Sequence, residues 1–197
     1  MPIRQLVLAS ASPARLRLLR DAGLDPVVVV SDIDESGVRE NDPRAYVQAL
    51  AAQKAAAVAT REPDALVVGC DSMLLLGDQL LGKPVDAAAA TARWQEMRGR
   101  SGILLTGHSL LDTRSGGSRH AVAETTVHFG CPSDEEVQAY VASGEPLRVA
   151  GAFTLDGRSA PFIVGVDGDP GTVIGLSLPL LRELLAGLGV RLVDLWT

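Results

Sequence analysis

Ala65-Leu-Val-Val-Gly-Cys-Asp-Ser-Met-Leu-Leu-Leu-Gly-Asp-Gln-Leu-Leu-Gly-Lys-Pro84 is the stretch on which the fold turns. Ala65 to Val68 is an apolar run of strand type, leading into Gly69-Cys70-Asp71-Ser72. Met73 to Leu76 and Gln79 to Leu81 then flank Gly77-Asp78, the pattern of a hairpin with a two-residue turn. A buried-type strand followed at once by a hairpin predicts antiparallel pairing inside an α/β chain. The fold class is therefore α/β with a mixed, twisted sheet and flanking helices, not a purely parallel one.

Working outward towards the N-terminus, Ile3 to Ala9 reads as a short strand ended by Ser10-Ala11-Ser12-Pro13. Ser12 suits an N-cap and Pro13 the first helical position, with Leu16, Leu19 and Gly23 following at helical spacing. Pro26 to Val30 reads as a buried strand, and Ser31-Asp32-Ile33-Asp34-Glu35 as an acidic loop. Asn41-Asp42-Pro43 caps an alanine-rich helix running to about Thr60. On the other side, Asp86 caps a helix that places Ala90, Trp94 and Met97 on one face and stops at Gly99. Ile103 to Leu111 and Arg119 to Phe129 are two long strands around Ser115-Gly116-Gly117. Ser133-Asp134-Glu135-Glu136 is a capping box for a helix ending near Ser143-Gly144. Ala160 to Val166, a Gly-Asp-Pro-Gly turn, a helix near Leu180 to Ala186 and a last strand at Val190 to Leu195 complete the pattern.

A chain of 197 residues makes one domain, or one domain with two lobes, with a core of useful size. Aromatic residues make up 4% and the net charge is −6, so the core is aliphatic and a nucleic-acid-coating or membrane-surface role is disfavoured. A site for an anion must then be local. No leader pattern or membrane-spanning run stands out, and Cys70 and Cys131 read as buried thiols of a reducing compartment. The cytoplasm is the expected location.

Lysine is scarce: Lys54 and Lys83 stand against sixteen arginines. An ammonium is a compact point charge that a planar guanidinium does not imitate, so the two retained lysines draw attention to their surroundings. Ser10, Ser12 and Arg15 gather two hydroxyls, a helix N-terminus and a cation where an anion is favoured, although a Ser-Pro helix start is also an ordinary structural feature. Asp71 at its strand end suits a general base or a metal ligand, and equally a turn residue. Asp32, Asp34 and Glu35 can bridge a divalent cation to phosphate oxygens, or simply form a solvated loop. His108, His120 and His128 lie on strands without metal-ligand spacing and read as ordinary strand residues. Neither a P-loop nor a dinucleotide fingerprint is present. These parts together describe a site for a metal-bound polyphosphate.

Leu8-Ala-Ser-Ala-Ser-Pro-Ala-Arg15, Ser31-Asp-Ile-Asp-Glu35, Gln53-Lys54-Ala55, Val67-Val-Gly-Cys-Asp71, Leu81-Gly-Lys-Pro84 and Ala150-Gly-Ala152, with Gly168-Asp169 and Val173-Ile-Gly-Leu176, resemble in this order the Maf family of nucleoside triphosphate pyrophosphatases. The matches span nearly the whole chain, implying one Maf-like domain over residues 1–197. The resemblance also implies two lobes around a cleft, an architecture shared with inosine triphosphatases, and a homodimer. It implies hydrolysis between the α- and β-phosphates to a nucleoside monophosphate and pyrophosphate, with Mg2+ or Mn2+ as cofactor. Carried over by position, Asp71 matches the general base, Glu35 and Asp71 the metal site, and Ser10, Ser12, Arg15, Lys54 and Lys83 the groups that bind substrate. Ala14, Val149 and Asp156 depart from the family pattern. Cys70-Asp71-Ser72 matches neither the Ala-Asp-Thr of the pyrimidine-directed subgroup nor the Ser-Asp-Gln of the 7-methylguanosine-directed one, so base preference stays open. The rival readings are a purine-directed pyrophosphatase and a non-catalytic nucleotide-binding regulator of septum formation or cell division.

Overall fold

In a computed structural model, residues 4–197 are described; the expected strand start at Ile3 lies outside them. In chain order the elements are β1 (Gln5–Leu8), α1 (Pro13–Asp21), β2 (Val27–Val28), α2 (Pro43–Ala59), β3 (Ala65–Leu76), β4 (Gln79–Leu81), α3 (Ala87–Met97), β5 (Ser101–Asp112), β6 (Gly117–Phe129), α4 (Asp134–Ala142), β7 (Ile163–Asp167), α5 (Pro170–Ile174) and α6 (Leu178–Gly187). Among the described residues the strands form a seven-stranded sheet ordered β2-β1-β3-β5-β6-β7, with β4 paired to β3. β1 runs parallel to both β2 and β3. β4 is antiparallel to β3, and β7 to β6, so the sheet is mixed.

The chain divides into two compact units. The first comprises residues up to Asp71, Thr106–Ala123 and Gly175–Thr197; the second comprises Ser72–Leu105 and Glu124–Ile174. In the first unit, strand alternation sorts the core into two layers. Leu6, Leu8, Leu66, Val68 and Cys70 pack with Leu19 of α1 and with Leu181, Leu184 and Leu185 of α6. Val7, Ala9, Ala65 and Val67 pack instead with Ala55 and Val58 of α2. Successive side chains of a strand point to opposite faces, so α1 and α6 cover one side of these strands and α2 the other.

The second unit has its own core. Leu74 and Leu76 of β3 meet Ala90, Trp94 and Met97 of α3, and Val137, Tyr140 and Val141 of α4. The face expected for α3 is the one buried. Trp94 stands edge-on to Phe129, Tyr140 and Phe162 at centroid distances of 6.0, 5.8 and 5.6 Å, and its indole N–H donates to the Ala152 carbonyl at 2.8 Å. Edge-to-face pairs of this kind stabilise beyond their buried area.

Four expectations change. β3 continues unbroken to Leu76, so Asp71 sits inside a strand and not beyond its end. The strand expected over Pro26 to Val30 shrinks to two residues, with Val27 and Val28 39% and 41% exposed, because β2 is an edge that, among the described residues, pairs only with β1. The last segment forms a 3-10 turn at Leu192–Leu195 that buries Leu195, and Trp196 bridges to Leu24 in place of a strand. Cys70 is buried as expected, whereas Cys131 is exposed.

Candidate functional site

The loop after β1 is built around two hydroxyls. Ser12 caps α1 and its Oγ accepts the Arg15 N–H at 3.4 Å, while the Ser12 N–H donates to Ser10 Oγ at 3.2 Å. Arg15 folds back onto the loop: Nη1 donates to Ser10 Oγ at 3.0 Å, and Nε to the Gly175 carbonyl at 2.7 Å. Ser10 is 7% exposed. The guanidinium is thereby held at the start of the nine-residue helix α1, where backbone N–H groups and the helix dipole favour negative charge.

Asp71 depends on how closely α2 lies on the sheet. Gly69 of β3 faces α2, and a Cβ there would stand 2.5 Å from the Ala51 carbonyl and 2.7 Å from the Ala55 nitrogen. At Gly107 of β5 a Cβ would stand 2.3 Å from the Val47 carbonyl. Only glycine lets helix backbone approach strand backbone to this distance. Two residues beyond Gly69, the Asp71 side chain leaves the same side of β3 and meets Lys54 of α2. Lys54 Nζ lies 2.5 Å from Asp71 Oδ1 and 2.8 Å from Glu35 Oε1. Asp71 Oδ2 is buried and, among the described residues, has no hydrogen-bond partner.

The electrostatics follow from this geometry. Burial raises the Asp71 carboxyl above its ordinary value; the charges of Lys54 and Arg15 pull it back without cancelling the effect, and Glu35 adds to the rise. Desolvation of the charged form outweighs two nearby cations. Burial likewise pushes the neighbouring Cys70 thiol up to about 11, which leaves it neutral and unreactive.

The three acids of the 32–35 loop separate in role. Asp34 Oδ1 accepts the Ser36 N–H at 2.9 Å and caps a short turn; hydrogen bonding to the Ser36 side chain, and then to its backbone, holds the carboxyl below the ordinary value. Asp32 adopts a left-handed backbone with φ 46°. Of the three, Glu35 is the one that reaches Lys54.

Lys83 belongs to the second unit and is exposed at the end of the β3–β4 hairpin. Its backbone is fixed from two directions through the preceding residue: the Gly82 carbonyl accepts from Arg93 Nη1 at 2.5 Å and from the Gly151 N–H at 3.1 Å. Burial lowers the Arg93 value below that of a free guanidinium. The Ala150-Gly-Ala152 segment that supplies this N–H holds Gly151 and Ala152 at φ 71° and 62°.

Sequence reasoning missed His108. It is fully buried on β5 and bonds through both ring nitrogens, which no local pattern around Thr106-Gly-His108 signals. Gly69 and Gly107 were also silent, because their function lies in what a side chain would strike.

The family model for Maf-like proteins matches residues 5–188. The chain is 62% identical over 197 residues to a protein of Streptomyces coelicolor named nucleoside triphosphate pyrophosphatase, covering 99% of this chain and 96% of that one. A protein of the same name from Streptomyces avermitilis is 60% identical over 198 residues, with coverage of 100% and 96%. One from Synechocystis is 52% identical over 190 residues, with coverage of 96% and 97%. Matched along nearly its whole length by both the family model and these relatives, the chain belongs to the Maf family.

Proposed function

We propose that this protein is a nucleoside triphosphate pyrophosphatase that hydrolyses the bond between the α- and β-phosphates, releasing a nucleoside monophosphate and pyrophosphate. The observation that carries the reading is the Asp71–Lys54–Glu35 array, with Lys54 at 2.5 and 2.8 Å from its two carboxylates and Asp71 Oδ2 without a hydrogen-bond partner among the described residues. A buried carboxylate oxygen of this kind is satisfied by a water or a cation. Full-length identity to proteins that bear this enzyme name supports the same activity.

In this reading Arg15, Lys54 and Lys83 meet the negative charge of the polyphosphate, and Ser10 and Ser12 orient it at the start of α1. Asp71 takes a proton from the attacking water; burial raises its carboxyl above the ordinary value. The residues suit a divalent cation, Mg2+ or Mn2+, since Glu35 and Asp71 offer hard oxygen donors and such ions are held by one or two carboxylates together with phosphate oxygens. When bound, the cation offsets phosphate charge and orients the scissile group. The active form is a homodimer in the cytoplasm, in keeping with the family; among the described residues no helix is long and apolar enough to cross a membrane.

The test is an end-point assay of common and modified nucleoside triphosphates with Mg2+ or Mn2+. Pyrophosphate and the monophosphate are the expected products, and chelation is expected to stop the reaction. Orthophosphate as the first product, or no turnover of any nucleotide, contradicts the proposal. Sedimentation of the same preparation checks the dimer.

A further inference from the structure

We infer that His108 is a positioning residue for the phosphate-binding arginine: it sets the 175–177 segment whose carbonyl holds Arg15. The inference rests on the reading of Arg15 as a phosphate ligand, and it concerns how that ligand is held.

His108 lies on β5 with no exposed surface, on the face opposite the one Gly107 presents to α2. Its Nδ1 is 2.9 Å from the Thr106 carbonyl, and its Nε2 is 2.9 Å from the backbone nitrogen of Ser177. A carbonyl only accepts and a backbone N–H only donates, so the two partners dictate the ring state. Nδ1 carries the hydrogen and Nε2 accepts; the imidazole is neutral. Gln48 Nε2 also donates to the His108 carbonyl at 3.0 Å, which fixes the strand at the same residue from the α2 side.

Ser177 is the N-cap of α6. Two residues before it, Gly175 offers its carbonyl to Arg15 Nε at 2.7 Å. Gly175 has φ 126°, and a Cβ there would lie 3.1 Å from Arg15 Nε, so the arginine packs directly against this backbone. Arg15 Nη1 then holds Ser10 Oγ, which accepts from the Ser12 N–H. Four hydrogen bonds, the first two joined through the 175–177 backbone, thus link a buried imidazole to the loop that begins α1. A guanidinium whose Nε edge is fixed to a carbonyl binds an oxyanion with less ordering cost than one that samples its rotamers. Nothing in this chain of contacts requires His108 to touch substrate.

Amide isosteres separate the two ring nitrogens. Asparagine at position 108 reproduces the donor at Nδ1 but does not reach Ser177, whereas glutamine places an acceptor near the Nε2 position. The experiment measures calorimetric binding of inorganic tripolyphosphate, and KM and kcat for the best nucleotide, in wild type, Arg15→Ala, His108→Asn, His108→Gln and the Arg15→Ala/His108→Asn double variant. His108→Asn is expected to weaken tripolyphosphate about tenfold, the scale of one impaired charge-assisted contact, and to raise KM more than it lowers kcat. His108→Gln is expected to recover most of that loss. In the Arg15→Ala background His108→Asn is expected to have no further effect, since a residue acting through Arg15 has nothing left to position.

Additive effects in this cycle, a folded His108→Asn protein with wild-type affinity, or an Arg15→Ala protein that binds tripolyphosphate normally would overturn the inference. If His108→Asn does not fold, Ser177→Pro enters the same cycle, because it removes the N–H that His108 Nε2 accepts at a backbone φ of −82° that proline adopts; additivity there counts equally against the inference. The two readings fail separately. Coupled binding without cleavage of any nucleoside triphosphate removes the proposed function and leaves His108 its role, while cleavage with an additive cycle does the reverse.

Discussion

Asp71 combines function and cost in one side chain. Because burial raises its carboxyl, the native state holds more protons than the unfolded chain between the ordinary value and the raised one. Its contribution to stability is therefore greatest in acid and declines as pH rises through that window; above the window the carboxylate is a net burden on the fold. Asp71→Asn is expected to lower kcat by about 10²–10⁴-fold, the usual share of a general base, while Tm at neutral pH stays level or rises. Steady-state kinetics with a melting curve checks both, and a fall in Tm would mean that the ion pair with Lys54 outweighs desolvation. Lys83→Arg is the second test at this scale. The backbone at Gly82 is held by Arg93 and by the Gly151 N–H, so the start of the residue 83 side chain is set, and a wider, planar guanidinium does not reproduce the point charge of an ammonium. A substantial loss of kcat/KM with an unchanged melting curve is expected, against the near-neutral outcome, within about 0.5 kcal/mol, of an ordinary surface exchange. Unaltered kinetics would reduce Lys83 to generic charge.

At the scale of elements, the meeting of α2 with the sheet decides whether Lys54 finds Asp71. A Cβ on either glycine beneath the helix would stand under contact distance from its backbone, so a methyl group there must displace the helix or bend the strand. Gly107→Ala is expected to destabilise by about 1–3 kcal/mol, as overpacked cores do, and to reduce kcat about a hundredfold, the penalty of a shift near 1 Å at reacting groups. Denaturant melts and kinetics on the same protein test this; full activity would show that α2 tolerates displacement. The sequence announced many boundaries at this scale because they rest on local chemistry. Ser12, Asp42 and Asp86 cap their helices through side-chain oxygens, and Ser133 with Glu136 forms the full capping box. Gly77-Asp78 turns the hairpin as read, pairing Leu76 with Gln79. What escaped depends on distant partners. Gly69-Cys70-Asp71-Ser72 looks like a turn in isolation, yet pairing within the sheet carries β3 straight through it. His108 bonds to Ser177, sixty-nine positions away, and no window of sequence holds both. Val190 to Leu195 has strand composition but ends as a 3-10 turn that buries Leu195.

The whole molecule raises a question of cooperativity, since each unit has its own core. β3, β5 and β6, of twelve, twelve and thirteen residues, each begin in one unit and end in the other. A strand that loses its neighbours along half its length exposes unpaired backbone groups, and propagating that loss is easier than stopping it inside a sheet. The chain is therefore expected to unfold in a single transition. Its two tryptophans report on the two units separately: Trp94 is buried among Phe129, Tyr140 and Phe162 in the second, and Trp196 bridges to Leu24 in the first. Trp94→Phe and Trp196→Phe each leave one reporter. Urea titrations of the two variants, followed by fluorescence and by far-ultraviolet circular dichroism, are expected to give one midpoint per variant, the same by both probes. Trp94→Phe also removes the indole donor to the Ala152 carbonyl, so its common midpoint is expected at lower urea, with unfolding free energy reduced by roughly the one to three kcal/mol that an unsatisfied buried acceptor costs. Probes that separate in the Trp196→Phe protein would show the second unit melting on its own, and shared strands would then be insufficient to couple the two cores.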